Sequence, residues 1–381
     1  MQNLKNVARP PSSHKTPPLF VHAEVYRRAA YGQNHPLAIA RVETAVDLCA
    51  GLGWLKDGFH ASPVASREQL TVFHAPDYVE ALYQAETTGL TPAAHRRLYN
   101  IGTRENPVFP GIFERASTSV GGSVLAANLA LEGGIAYHPA GGTHHGQRAR
   151  ASGFCYFNDP VFAILTCLEK GLERIVYVDL DAHHGDGVED AFFDNERVFT
   201  LSVHEAGRWP GTGLLHDRRL GRARNLPVPR HLNDHELDYL MRAAILPLVQ
   251  AQRPQALVIT CGADNLAGDP LSTMALSNGA LWQAVTQLAA CAPAVVVLGG
   301  GGYNPWTLGR AWAGLWAALN GYQVPDLLPP ALTDMLKGLT CDLVEADEIR
   351  PEWLTTLRDQ PNVGPVRAEI RTIAEAVMRK A

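Results

Sequence analysis

Cysteine is scarce and scattered in this chain. The six cysteines, at positions 49, 155, 167, 261, 291 and 341, include no CxxC pair. That spacing suits neither a zinc ribbon nor the disulfide framework of a small secreted domain; it fits reduced thiols in a cytoplasmic protein. Long apolar runs are also missing, none approaching the roughly 18 residues of a membrane-spanning helix, so no membrane segment is expected. The first residues, MQNLKNVARPPSSHKTPP, carry lysines and an arginine but no apolar stretch behind them. They read as a loose extension, residues 1–18, rather than a signal peptide. Positive charge is not in excess either. A formal net charge of -5 leaves no basic footprint for a phosphate backbone, and nucleic acid is not expected as a direct partner. No repeat and no Ser/Gly/Pro-rich linker interrupts the chain, so residues 19–381 are expected to form one domain.

What is present is a large apolar fraction, 46%, enough to bury a substantial core without cross-links. Short apolar runs alternate with amphipathic stretches, the pattern of βα units feeding a parallel sheet. The runs are IAYH (135–138), RIVYVDLD (174–181), VFTLSVH (198–204), ALVITCG (256–262) and AVVVLGG (294–300). Their hydrophobicity is continuous rather than alternating, which marks strands covered on both faces. A helix is expected after Asn158-Asp159-Pro160, with Asp159 as its cap and Gly171 at its exit, and another over Thr307–Leu319. The expected fold is α/β: three layers, with a central mainly parallel sheet and helices on both faces. The stretch from about Gly321 onward carries the weakest pattern.

Chemistry gathers where the strands end. IAYH runs into PAGGTHHG with His144 and His145, and VYVDLD into AHHGDG with Asp179, Asp181, His183 and Asp186. FTLSVHE leads to AGRWPGTG, LVITCG to Asp264, and VVVLGG to Tyr303. Ligands of open parallel sheets bind beyond the carboxyl ends of the strands, so these segments are expected to converge on one site. Asp181 and His183 are two apart, which in extended chain sends both side chains the same way. With Asp264 from another strand end they make a set of one imidazole and two carboxylates, leaving room for water and substrate as catalytic zinc sites do. His144 and His145, paired with Asp179 and Asp186, suit proton transfer.

Blander readings exist for each residue. Asp264 alone serves equally well as a helix cap, and Tyr303 after four glycines can simply close a turn. An Asp-rich loop can bind calcium, but calcium has no use for two histidines. GGGG at 299–302 invites a phosphate-binding reading, yet it lacks the Lys-Ser/Thr of a P-loop and the GxGxxG phasing. These bland readings would have to coincide at every strand end.

The motifs THHG, GFCYFND (153–159), DLDAHHGDG (179–187), PGTG (210–213), GADNLAGDPL (262–271) and GGGGY (299–303) resemble, in order and spacing, those of the histone deacetylase and acetoin-utilization deacetylase family. The resemblance runs from about Tyr26 to Trp312. It implies an arginase-like α/β fold and hydrolysis of an acetyl or similar acyl amide on an acylated lysine. It also implies one Zn2+ per chain, with Fe2+ an alternative, on Asp181, His183 and Asp264. His144 and His145 resemble the tandem catalytic histidines, with Asp179 and Asp186 as partners, and Tyr303 the tyrosine that holds the substrate carbonyl. Gly153, Phe154 and Trp209 match the acyl-lysine tunnel, where most relatives carry Phe in place of Trp209. A K+ or Na+ site maps to Asp179, Asp181, His183, Ser202 and Val203. Arg41 resembles the arginine of an internal acetate-release channel, with a surface salt bridge as the alternative.

Leu271 bears on the substrate. Polyamine-selective relatives can place an acidic residue there to meet a second amine, and leucine offers none. An acyl-lysine is therefore the expected substrate, with an acetylpolyamine or other small acetylated amine as the rival. Arginase-type ureohydrolysis on two manganese ions is disfavoured by the aromatic GFCYF motif and Tyr303. A reader protein without turnover is disfavoured by Tyr303 together with both His-Asp pairs.

Overall fold

The five apolar runs all become strands, with trimmed or extended ends. The computed structural model describes residues 14, 16–28, 31–32, 34–56 and 58–379; residues 1–13 and 15 of the expected extension lie outside them. In chain order the strands are β1 (Leu19–His22), β2 (His60–Ala61), β3 (Ile135–His138), β4 (Ile175–Asp179), β5 (Val198–Glu205), β6 (Ala223–Val228), β7 (Ala256–Thr260) and β8 (Ala294–Leu298). They form one eight-stranded sheet in the order β2-β1-β3-β8-β7-β4-β5-β6, and every pairing is parallel. The sheet is thus parallel throughout its described residues, not merely mainly so.

The continuous hydrophobicity has the expected cause. Along β4, Val176 and Val178 face one core with Leu257 and Ile259 of β7 and Val295 and Val297 of β8. Ile175 and Tyr177 face the opposite core with Val258 and Val296. Helices Val42–Gly51, Asn278–Ala289 and Pro305–Asn320 cover the first face, while Ile112–Leu131, Asp159–Glu169 and Asp186–Phe192 cover the second. Both faces being dry, neither needs polar residues.

Caps set two helices that carry the site. Asn158, not Asp159, caps Asp159–Glu169: its side-chain oxygen accepts from Val161 N at 3.3 Å. Asp159 is freed to accept from the backbone N–H groups of Gly142 (3.0 Å) and Thr143 (2.8 Å), which clamps the loop after β3. Helix Pro305–Asn320 starts on Asn304, whose side chain accepts from Trp306 N and Thr307 N, and leaves through Gly321 in the left-handed region.

The C-terminal stretch is well packed. Trp353, Leu357, Ile370, Ile373 and Val377 are buried in the first core. Arg310, wholly buried, pairs with Asp359 at 2.7 Å. Among the described residues no helix is long and apolar enough to cross a membrane. The six cysteines are free thiols.

Candidate metal and acyl-transfer site

The loops after β3, β4, β5, β7 and β8 meet at one edge of the sheet. Strand β4 stops at Asp179, so Asp181 and His183 lie on a bend and not on extended chain. Strand alternation is therefore not what points them together. Asp181 Oδ1 accepts its own bend's His183 N–H at 2.9 Å, and Asp264 Oδ1 accepts Ala182 N–H at 3.0 Å. The bend is folded by the very carboxylates it presents.

Asp181, His183 and Asp264 are all buried and offer ligand atoms within 4.8 Å of one another. His183 Nδ1 stands 2.9 Å from Asp264 Oδ2 and 3.1 Å from Asp181 Oδ1. Burial and the charge of Asp181 push Asp264 up to about 6. Burial works against charge on His183 too, but its bonds to Asp181 and Asp264 outweigh that and hold it at about 10. Two buried carboxylates facing one imidazole are a set whose charge calls for a cation.

Glycine makes the cradle. A Cβ on Gly262 would fall 2.1 Å from Asp181 Oδ2, and one on Gly301 would fall 2.1 Å from Asp264 Oδ2. Gly301 N–H donates to Asp181 Oδ2 at 2.6 Å, so the GGGG run serves a carboxylate of the chain itself. The carbonyls of Gly300 and Gly302 accept from Arg41 Nη2 (2.6 Å) and Nε (3.2 Å), and its guanidinium lies over Trp312, 5.2 Å from the ring centre. Arg41 faces inward, away from the salt-bridge alternative.

The two histidines have separate partners. His144 Nδ1 bonds Asp179 Oδ2 at 2.6 Å, and His145 Nδ1 bonds Asp186 Oδ1 at 2.7 Å. Their rings are 3.9 Å apart. Burial opposes charge on His144, but Asp179 and Asp181 prevail and raise it to about 9. Burial, then the neighbouring His144, lowers His145 to about 4. Adjacent imidazoles are thus shifted in opposite directions, the arrangement from which acid and base roles can be divided.

Tyr303 is buried, with its ring 6.4 Å from that of His183 and 5.9 Å from that of Phe154. Trp209 is 46% exposed, so it is no core residue; it stands edge-on to His145 at 4.7 Å. Gly153 lies beneath it at φ +53°, and a Cβ there would meet both Trp209 and His145 at 2.6 Å. A cavity of about 710 Å³ runs from His145, His183 and Tyr303 past Gly153, Phe154 and Trp209 to Leu271. A smaller inner cavity shares His145, Gly153, Phe154 and Tyr303 and continues to Arg41. Of the expected cation residues, Asp179 and Ser202 are cross-strand partners, with Val203 next along β5 and buried.

Several site residues escaped the sequence reading. Asp269 accepts from Tyr303 N at 2.7 Å and from Leu271 N at 2.9 Å, bracing both. Its position in the tight Gly268-Asp269-Pro270 turn was the available signal. Glu105 accepts from Gly153 N at 2.6 Å, and the amide of Asn158 bonds the carbonyls of His144 and Gly146.

Residues 35–319 match the histone deacetylase domain family. The chain is similar to the acetoin utilization protein AcuC of Bacillus subtilis (strain 168), 35% identical over 329 residues, 82% of this chain and 84% of AcuC. It is 34% identical over 308 residues to histone deacetylase 1 of Homo sapiens, 78% of this chain but 64% of that protein, so it spans less than two thirds of that relative's length. The crystal structure of a histone deacetylase homologue from Aquifex aeolicus superposes with a TM-score of 0.90 at 35% identity, covering 96% of this chain and all of that one. A structure of a histone deacetylase homologue complexed with SAHA superposes equally well.

Proposed function

Because the chain belongs to the histone deacetylase family and is a deacetylase of that arginase-like fold, we propose that its domain, residues 19–381, removes an acetyl or similar acyl group from an acylated lysine side chain. The observation that carries this reading is the buried Asp181–His183–Asp264 set, whose His183 lines the 710 Å³ cavity together with His145 and Tyr303.

The donor set fits a transition metal: two carboxylates and an imidazole, with glycines leaving the space a side chain would fill. Asp181, His183 and Asp264 would hold Zn2+, with Fe2+ the alternative. Such an ion lowers the pKa of bound water from about 15.7 towards about 7 and polarises a carbonyl oxygen. The remaining work falls to side chains of the chain. His145, neutral and fixed through Nδ1 by Asp186, takes the water's proton on Nε2 and returns it to the leaving lysine amine. His144, kept charged by Asp179, steadies the negative charge that builds at the carbonyl. Tyr303 donates its hydroxyl hydrogen to the same oxygen, a contact that strengthens only as that charge develops. Phe154 and Trp209 line the acyl-lysine stem and exclude water. Arg41 receives the released acetate in the inner cavity, and Asp179, Asp181, His183, Ser202 and Val203 would hold a K+ or Na+ ion, whose charge would offset that of the buried carboxylates.

Metal analysis of the purified protein tests this. About one ion per chain is expected, falling sharply together with turnover in Asp181→Ala and in Asp264→Ala. Undiminished metal in both variants contradicts the assignment. Hydroxamates should inhibit the wild type, since they chelate such an ion.

A further inference from the structure

The mouth of the 710 Å³ cavity carries Glu105, Glu205, Arg208 and Arg230, and their partners differ. Glu205 Oε1 accepts from Arg208 Nη2 and from Thr273 Oγ1, each at 2.8 Å, and its Oε2 accepts from Thr273 N at 2.7 Å. Arg208 spends its other Nη on the carbonyl of Leu271, at 2.7 Å. Glu105 is bonded through one oxygen to Gly153 N and through the other to Asn100 Nδ2 at 2.9 Å. These three groups are committed to holding the loops.

Arg230 is placed differently. It follows β6, is exposed, and its carbonyl accepts from Arg367 Nη1 at 2.8 Å, which anchors its backbone. Its Nε–H donates to Thr273 Oγ1 at 3.3 Å, so one side of the guanidinium is oriented. Among the described residues no carboxylate pairs with it and neither terminal nitrogen is hydrogen-bonded, and Arg230 lines the cavity together with Leu271 and Trp209. A planar fork with two parallel N–H groups matches a carboxylate.

We propose that Arg230 is a specificity residue that receives a carboxylate borne by the substrate next to its acylated lysine side chain. The inference rests on reading the site as an acyl-lysine deacylase. With the acyl group at His145 and Tyr303, the lysine stem runs outward past Phe154 and Trp209, and the lysine backbone comes to the mouth where Arg230 stands. The carboxylate has two sources there: the lysine's own α-carboxylate, free or at a chain end, or the side chain of a neighbouring Asp or Glu. A polyamine brings neither, and its distal ammonium would meet an unpaired cation.

The test compares acetyl-lysine peptides: one capped and neutral, one ending in acetyl-lysine with a free carboxylate, one with Glu following, and one with Lys following. kcat/KM is measured for wild type, Arg230→Gln and Arg230→Lys at low and high salt. Wild type should prefer a carboxylate-bearing peptide over the neutral one by about fivefold, the scale of an exposed ion pair. The preference should shrink with salt, vanish in Arg230→Gln and return in part in Arg230→Lys. The terminal-carboxylate and Glu peptides tell which source is read. Equal rates on neutral and anionic peptides, or a preference that survives Arg230→Gln, would overturn the inference while leaving the deacylase reading intact. A wild type inactive on every acetyl-lysine peptide would overturn both.

Discussion

His145 and Asp186 are bonded ring to carboxylate: Nδ1 of the imidazole is 2.7 Å from Oδ1 of the carboxylate. With Nδ1 engaged, Nε2 is the ring atom left to exchange a proton with water or substrate. His145→Ala should therefore lower kcat by about 10²–10⁴, the range of a lost general base. Asp186→Asn keeps the ring and should cost less, while shifting the pH profile of kcat/KM. Equal losses in the two variants would place Asp186 in the chemistry itself.

Asp269 is expected to act through Tyr303. Its two oxygens accept from Tyr303 N and Leu271 N, and an asparagine can satisfy only one of them. Asp269→Asn should lower kcat by about tenfold, roughly 1.4 kcal/mol in the barrier, with metal content unchanged. An unaltered kcat would make Asp269 merely a turn residue.

Leu271 lines the cavity without offering it a charge. Introducing a charge with Leu271→Glu should move selectivity from acetyl-lysine towards acetylpolyamines, by about tenfold for each 1.4 kcal/mol of new interaction. The ratio of kcat/KM on the two substrate classes reads this out. A wild type that already prefers acetylspermidine would reverse the ranking.

Stability should fall in acid through Glu189. This buried carboxylate bonds Arg219 Nε and Asn225 Nδ2 at 2.8 Å each and lies 3.2 Å from His184 Nε2. Burial opposes its charge, yet these partners, His184 foremost, prevail and hold it at about 2 against an ordinary 4.5. A depressed carboxylate adds stability that is complete above its unfolded value and lost as pH falls from about 4.5 to about 2. Glu189→Gln should cost on the order of 3 kcal/mol at neutral pH and much less near pH 2. Denaturant melts across that window check the sign.

Much of this site was legible because its chemistry follows directly on strands that are buried on both faces. Such strands leave unbroken apolar runs, and the residues just past them, His144, Asp181, Asp264 and Tyr303, share one edge by topology alone. β1, β2 and β6 were not read, being four residues after a proline pair, two residues, and a run broken by Arg224, Asn225 and Pro227. The supporting residues were hidden for another reason. Glu105 and Trp353 act across long sequence distances: Glu105 meets Gly153, and Trp353 packs where a Cβ on Gly268 would stand 2.6 Å away. No local pattern encodes such a contact. Strand alternation does not bring Asp181 and His183 together, since both lie past the end of β4; hydrogen bonding within the bend aligns them.

Acetate release from a capped, uncharged acetyl-lysine peptide, by metal-loaded wild type and by Tyr303→Phe, tests the central claim most directly. The wild type should turn the peptide over. The variant, short of one oxygen atom, should bind metal and hydroxamate nearly as well but lose about 10²–10³ in kcat. Near wild-type turnover in Tyr303→Phe, or no turnover by the metal-loaded wild type, would contradict it.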